Sequence, residues 1–349
     1  MSRLKVAVIG GGLFGCTAAV HAARHGHDVH LFDVKPEIMC GATAGTYARL
    51  HRGYHYPRSP ETGRESRRAE KSFRSEYGGC VIDGGRQFYI VPEHGSKVSV
   101  NEFRDVLDNE SLAFAEEDGV FEVVEPRVSL AGLAALVRQR VKDAGIVLHL
   151  GDGTHPGTLR STFDKIIVAT YAGLNSVLDE LGCTPSPYKY QVVERPVVLL
   201  PESFTDTSVV VIDGPFGCLD PMDESPLHVL GHVTETVHAE TTGYQPYVPD
   251  AFTPLINAGL IRNPLVSNVS RVIEELARYI PGVEQAVYIG SSFTVRAHLA
   301  HQEATDARPT LVQARDEQVM TIFSGKLGTA VRAAREAVDL LAQEKVLAA

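Results

Sequence analysis

The stretch Lys5-Val6-Ala7-Val8-Ile9-Gly10-Gly11-Gly12-Leu13-Phe14-Gly15 decides how the rest of the chain is read. Leu4 to Ile9 is short, apolar and stopped by glycines, which predicts a fully buried strand. A helical pattern runs from about Phe14 to His25, with Gly26 where a helix C-cap belongs. Asp28 to Asp33 predicts a second short strand, so the opening is a β-α-β unit with two parallel strands. Gly10, Gly12 and Gly15 fill the glycine positions of G-x-G-x-x-G, which serve a tight turn, close approach to a pyrophosphate, and helix-on-strand packing. Oriented N–H groups at the helix start, around Leu13 and Phe14, would hold the negative charge. Asp33 ends the second strand, where a carboxylate accepts from ribose hydroxyls. Glycines that merely turn the chain and an aspartate that caps a strand are the competing reading. Strand, glycines, helix and carboxylate in this order favour a dinucleotide site, without separating FAD from NAD.

Composition narrows the partners. Acidic residues outnumber basic ones, 43 to 33, for a net charge of -10, which argues against nucleic acid or anionic lipid as the partner. A small-molecule substrate is expected instead. The five cysteines are widely spaced with no C-x-x-C pair, unlike a secreted disulfide framework, and a cytoplasmic location is expected. The N-terminus lacks a signal-peptide pattern, and no stretch approaches the ~20 apolar residues of a membrane span. Oligomeric state is not legible.

Working outward, residues 40–86 are rich in Gly, Tyr, Arg, His and Pro with little periodicity, and predict a long ordered loop or irregular helix. Strands are expected at Gln87 to Val91 and Gly119 to Val124. Ser129 caps an amphipathic helix carrying Leu133, Val137 and Val141 on one face. Two buried strands follow, Ile146 to Leu150 and Lys165 to Ala169. Between about Tyr188 and His238 the pattern is purely β, which implies a separate sheet. Helices return at Asn268 to Tyr279 and Leu327 to Leu341. His228, His232 and His238 fall on predicted strands without a further ligand at matching spacing, so no metal site is expected.

The opening unit and the late segment Phe323-Ser324-Gly325-Lys326-Leu327-Gly328-Thr329 together resemble the D-amino acid oxidase superfamily. That group includes glycine oxidase, monomeric sarcosine oxidase, L-2-hydroxyglutarate dehydrogenase and flavin-dependent glycerol-3-phosphate dehydrogenases. The late segment is most similar to the Gly-Gly-Lys-Leu-Thr-Thr run of the last of these, with Ser324 for a glycine and Gly328 for a threonine. Asp164 to Gly173 resembles the family's strand and turn near the cofactor and brings in Thr170. The resemblance implies an α/β protein: a discontinuous Rossmann-type FAD-binding domain (1–84, 126–184 and 286–349) with an inserted antiparallel β-sheet plus helix substrate domain (85–125 and 185–285). FAD is the implied cofactor. The implied activity is that of an FAD-dependent oxidase or dehydrogenase moving a hydride from an amine- or hydroxyl-bearing carbon to flavin N5.

The resemblance also ranks site residues. The segment from Ala44 to Arg58 matches the one that runs beneath the flavin, so Gly41, Thr43, Ala44 and Arg49 are expected at the cofactor. His51, Tyr54, His55 and Tyr56 are expected to face substrate, with His55 or His51 as the base an alcohol would need. Gly325, Leu327 and Gly328 would bring backbone amides to the ligand. Lys326 would add the positive charge that stabilises a reduced, anionic flavin. A surface lysine is an unattractive reading there, because the helix dipole disfavours a cation at an N-terminus. Arg296 stands where the amino acid oxidases anchor substrate carboxylate, although Ala297 replaces the family's proline; a structural ion pair is the competing reading. Arg58, Arg64, Arg67 and Arg68 with Glu61, Glu65 and Glu70 read as a solvated helical face. Three alternatives stay open: a redox-neutral flavoenzyme similar to UDP-galactopyranose mutase, an NAD(P)-linked dehydrogenase, and a non-catalytic flavin-binding protein.

Overall fold

The computed structural model describes residues 3–45, 49–151, 154–223, 225–300 and 308–342. Two sheets organise them. The smaller has six strands in the order Leu311–Ala314, Val319–Phe323, Lys165–Val168, Lys5–Ile9, Asp28–Asp33, Val147–Leu150. All neighbours run parallel except the antiparallel edge pair Leu311–Ala314 and Val319–Phe323. Central parallel strands are covered on both faces, which is why Val6 to Val8 read as an unbroken apolar run and are fully buried. The expected β-α-β opening is present, with its helix at Leu13–Arg24. That helix packs on the last described helix, Ala330–Ala342. Both helices contribute buried alanines (Ala18, Ala19 and Ala22; Ala330, Ala333, Ala334 and Ala337) to one hydrophobic core, small side chains that permit close approach of the backbones.

The larger sheet has nine strands in the order Val237–Gly243, Tyr188–Leu199, Leu227–His232, Gly217–Pro221, Thr207–Val211, Arg86–Ile90, Val120–Val123, Phe114–Glu117, with Val287–Leu299 also paired to Tyr188–Leu199. It is antiparallel apart from one parallel pair, Thr207–Val211 with Arg86–Ile90. The strand Val287–Leu299 pairs along its length with Tyr188–Leu199. It thus belongs to this sheet and not to the parallel one, although in sequence it opens the segment 286–349.

Part of the segment expected to be a long loop or irregular helix is the regular helix Pro60–Tyr77, begun by Pro60 in its first turn. Apart from the i,i+4 pair Glu70–Arg74, its ion pairs run to other elements and not along the helix, which corrects the sequence reading. Arg64 and Arg67 reach Glu110, Glu65 reaches Arg332, Arg58 reaches Asp213, and the buried Glu70 accepts from Arg52 and Arg74. A polar helix is held here by ion pairs to other elements.

Candidate active site

The glycine turn lies at the C-terminal end of the central strand. A Cβ on Gly15 would stand 1.8 Å from the Gly10 carbonyl oxygen, so the helix sits directly on the turn. A Cβ on Gly12 would meet only Thr43 Oγ1, at 3.5 Å, so the space above it is open. Gly12 is the helix N-cap and has no side chain to satisfy the first N–H groups; Leu13 N–H donates to Thr43 Oγ1 at 3.3 Å. Asp33 accepts from Gly11 N–H at 2.5 Å and from Lys35 N–H at 2.7 Å, which fixes its carboxylate at the strand end. Thr170 Oγ1 is buried and has no hydrogen-bond partner among the described residues.

These groups share one cavity of ≈ 680 Å³. Gly10, Gly12, Leu13, Phe14 and Asp33 line its nucleotide end, with Gly41 and Thr43 alongside. Thr170 lines the middle; Gly325, Lys326 and Leu327 close it from the last strand-to-helix turn, and Arg296 reaches it from the larger sheet. The early glycine turn and the late lysine turn therefore face the same space. An open glycine at an uncapped helix start and an orphaned buried hydroxyl suit a phosphorylated, hydrogen-bonding cofactor.

Other expected residues stand elsewhere. Gly15 lies under the turn, and Gly328 packs on Leu50. Ala44 belongs to the short 3-10 turn Ala42–Gly45 and does not line the cavity, while residues 46–48 lie outside those described. Arg49 is buried away from the cavity and donates to Asp220 through Nε at 2.5 Å and Nη2 at 2.7 Å. The Tyr54 hydroxyl is buried and donates to the Ala113 carbonyl at 2.8 Å. Neither Arg49 nor Tyr54 lines the main cavity, and Arg49 lines the small gap behind the lysine turn.

His51 and His55 form a cluster behind the lysine turn. Their rings stack at 5.1 Å, and both meet the edge or face of Tyr56, at 5.6 and 5.2 Å. Lys326 Nζ lies 4.3 Å from the Tyr56 ring centroid, a cation–π contact, and 3.4 Å from the Thr62 carbonyl. His51 shares a small gap with Lys326, Leu327 and Gly328, one layer from the main cavity. Its Nδ1 is 3.5 Å from Glu125 Oε2, a buried carboxylate the sequence reading missed. Glu125 also accepts from Arg52 N–H at 2.7 Å and from the Tyr89 hydroxyl at 2.9 Å. Burial alone would raise the Glu125 pKa, but His51, Arg49 and the Arg52 N–H outweigh it and hold it at about 2. His51 therefore has a fixed negative charge on its Nδ1 side.

The floor of the cavity is the strand pair Tyr188–Leu199 and Val287–Leu299. Arg296 donates through Nε and Nη2 to Gln191 Oε1, at 3.1 and 2.6 Å. The Tyr171 hydroxyl donates to Ala297 O at 3.2 Å, which ties this strand to the turn after Thr170. Arg195 also lines the cavity and was missed in the sequence. Its signal was the charged pair Glu194-Arg195 inside an apolar strand, since a charge in a buried run needs a reason. Glu194 is fully buried on the other face and accepts from His238 at 2.8 Å, Asn268 N–H at 2.8 Å and Ser267 at 2.5 Å. Burial raises its pKa, and these hydrogen bonds more than reverse the shift. His238 is thus committed to a carboxylate.

A glycine-turn nucleotide site that opens onto the face of a second sheet defines a dinucleotide-dependent oxidoreductase architecture. The family model described as FAD dependent oxidoreductase (DAO) matches residues 5–159. Among curated proteins, the chain is 27% identical over 380 residues to the FAD-dependent monooxygenase kojA of Aspergillus flavus, covering 97% of this chain and 86% of that protein. It is 24% identical over 360 residues to the FAD-dependent monooxygenase FPY4 of Fusarium mangiferae, covering 97% and 92%. Among solved structures, glycine oxidase from Geobacillus kaustophilus superposes with a TM-score of 0.67 at 15% identity, covering 99% of this chain and 96% of that one. L-amino acid deaminase from Proteus vulgaris gives 0.69 at 10%, covering 100% and 96%. These structural likenesses show the shared fold. Residues 5–159 thus match the DAO model of FAD-dependent oxidoreductases, the relatives above are FAD-dependent, and the cofactor these findings indicate is FAD. No helix among the described residues is long and apolar enough to cross a membrane.

Proposed function

We propose that this enzyme oxidises an amine- or hydroxyl-bearing carbon of a small carboxylate-containing substrate. The observation that carries the reading is the single cavity joining the Gly10–Gly15 turn, Lys326 and Arg296. Bound FAD supplies a hydride acceptor at N5. Arg296, steadied by Gln191, would anchor the substrate carboxylate and so aim the C–H bond. Lys326 would hold positive charge where negative charge accumulates on reduction. A neutral amine already supplies the electron push, whereas an alcohol has to lose its proton to a base. His51, backed by Glu125, stands one layer behind the cavity and would take that proton only through a relay past the lysine turn. The last strand-to-helix turn covers one side of the cavity and limits water there.

The test is anaerobic: purified yellow protein is mixed with amino acids, hydroxy acids and amino sugars, and absorbance near 450 nm is followed, a wavelength set by flavin chemistry and roughly constant among flavoproteins. Bleaching by at least one amine or alcohol, lost in Arg296→Met, is the expected outcome; no bleaching across the panel refutes the reading. Oxygen insertion is a second reading, favoured by the monooxygenase names of the curated relatives. Label from isotopic oxygen appearing in the organic product would select it.

A further inference from the structure

The floor of the cavity carries a neutral polar pair that the hydride chemistry leaves unused. Thr294 and Arg296 are two positions apart on the strand Val287–Leu299, so they share a face about 7 Å apart along the strand, and both line the cavity. Thr294 is 4% exposed, and its hydroxyl donates to Asn257 Oδ1 at 2.9 Å. Asn257 comes from a different part of the chain, just after the short 3-10 turn Thr253–Leu255. Its N–H donates to the Phe293 carbonyl at 2.8 Å, and Ile256 forms a parallel bridge with Phe293. The backbone is therefore laid against the strand, and the side chain is pinned by its oxygen.

The nitrogen arm of the amide carries two N–H donors, and none of the described residues accepts from it. Asn257 is half-buried and lines the cavity, so those donors are met by whatever fills that space. A residue chosen only for its backbone is the competing account, because Asn257 has φ 53°, in the left-handed region that asparagine tolerates. Asn263, at φ 49°, is a residue of that kind, exposed and outside the cavity lining. At position 257 a glycine would meet the same backbone demand, so the conformation does not account for an amide pinned at the cavity wall.

We propose that Asn257 is a specificity-determining residue that donates from Nδ2 to a neutral oxygen of the substrate, carbonyl or hydroxyl, while the acid group is held at Arg296. The substrate class is then an acid carrying a further oxygen substituent, and not a plain alkyl acid. This rests on the reading of the cavity as the site of a carboxylate-containing substrate.

The FAD-loaded enzyme is titrated at fixed pH and ionic strength with 4-oxopentanoate and pentanoate, and with 5-oxohexanoate and hexanoate. Perturbation of the flavin absorbance is the readout. None of these acids carries an amine or alcohol, so the outcome does not depend on turnover. Both members of a pair have the same charge, so the contribution of the arginines cancels in the ratio of their affinities. In the better pair the oxo acid is expected to bind at least about fivefold tighter, the size of one neutral hydrogen bond. Asn257→Gly, which suits the left-handed backbone and so spares the fold, should bring that ratio to about one. Asn257→Asp keeps an oxygen for the Thr294 hydroxyl but removes the donors, and should do the same. A ratio near one in the wild-type enzyme, or a preference that survives Asn257→Gly, overturns the proposal and leaves the oxidation reading standing. No perturbation by any of the acids overturns the carboxylate reading and this proposal together.

Discussion

Glu125 shows what a single position can carry. It is buried, ionised, and surrounded by His51, Arg49, the Arg52 N–H and the Tyr89 hydroxyl. Its pKa is lowered from 4.5 to about 2, so its stabilising contribution is complete above the unfolded value and is lost as pH falls toward the folded one. The full contribution is roughly 3 kcal/mol. Glu125→Gln should therefore be less stable than wild type at neutral pH, with the gap narrowing by about 1 kcal/mol between ~pH 6 and ~pH 3.5. Urea unfolding of both proteins across that range checks it; a gap independent of pH would contradict the assignment. Reading the sequence could find His51 because it stands in a dense cluster of chemical residues. It could not find Glu125, a lone acid after a short strand, because its partners come from two other segments, Arg49 to Arg52 and Tyr89. Tyr54 misled for the converse reason: it shares the cluster, yet its hydroxyl is turned to Ala113.

At the scale of elements, the glycine turn was legible because each glycine answers a separate steric demand. That separation can be tested. Gly15→Ala forces a methyl group onto the Gly10 carbonyl, a clash that only backbone movement relieves, with a cost of about 1–3 kcal/mol or more. It should yield destabilised protein that is isolated colourless. Gly12→Ala meets only Thr43 in the protein and should fold normally, while holding FAD at least about tenfold more weakly because the methyl group stands where phosphate approaches. Thermal midpoints and flavin retention on dialysis distinguish the two variants. The buried strands and the alanine-rich helices were readable by period and burial. The helix Val100–Asn109 was passed over although Ser99 and Glu102 form a capping box, with Glu102 N–H donating to Ser99 Oγ at 3.2 Å and Ser99 N–H to Glu102 at 2.7 Å. The strand Gly217–Pro221 was hidden by its glycine and proline. The parallel pairing of Thr207–Val211 with Arg86–Ile90 joins segments far apart in sequence, and no local pattern encodes such a partner.

For the whole molecule, the main question is how the two sheets are joined. Beyond the nucleotide site the backbone at Arg49 forms an isolated antiparallel β-bridge with Arg127, while Leu50 N–H donates to Pro126 O at 2.9 Å. The Arg49 guanidinium then locks onto Asp220 in the larger sheet, with both side chains 3% exposed. Removing one member of a buried pair leaves an uncompensated charge, so Asp220→Asn should cost about 3–5 kcal/mol. Replacing both, Arg49→Met with Asp220→Leu, should recover most of that loss, as measured by chemical denaturation. Recovery of none would mean that the pair positions the sheets in a way packing cannot replace.

The order of strands in the parallel sheet also has a consequence for biosynthesis. Lys5–Ile9 is made first but lies between Asp28–Asp33 and Lys165–Val168, with Val319–Phe323 beyond, and its helix waits for Ala330–Ala342. A ribosome must therefore deliver the chain as far as the helix Ala330–Ala342 before the pocket that grips the flavin can close, and such non-local pairing makes assembly slow. Yellow colour in a freshly made sample would thus report that the segments from Lys5 through the helix Ala330–Ala342 have come together.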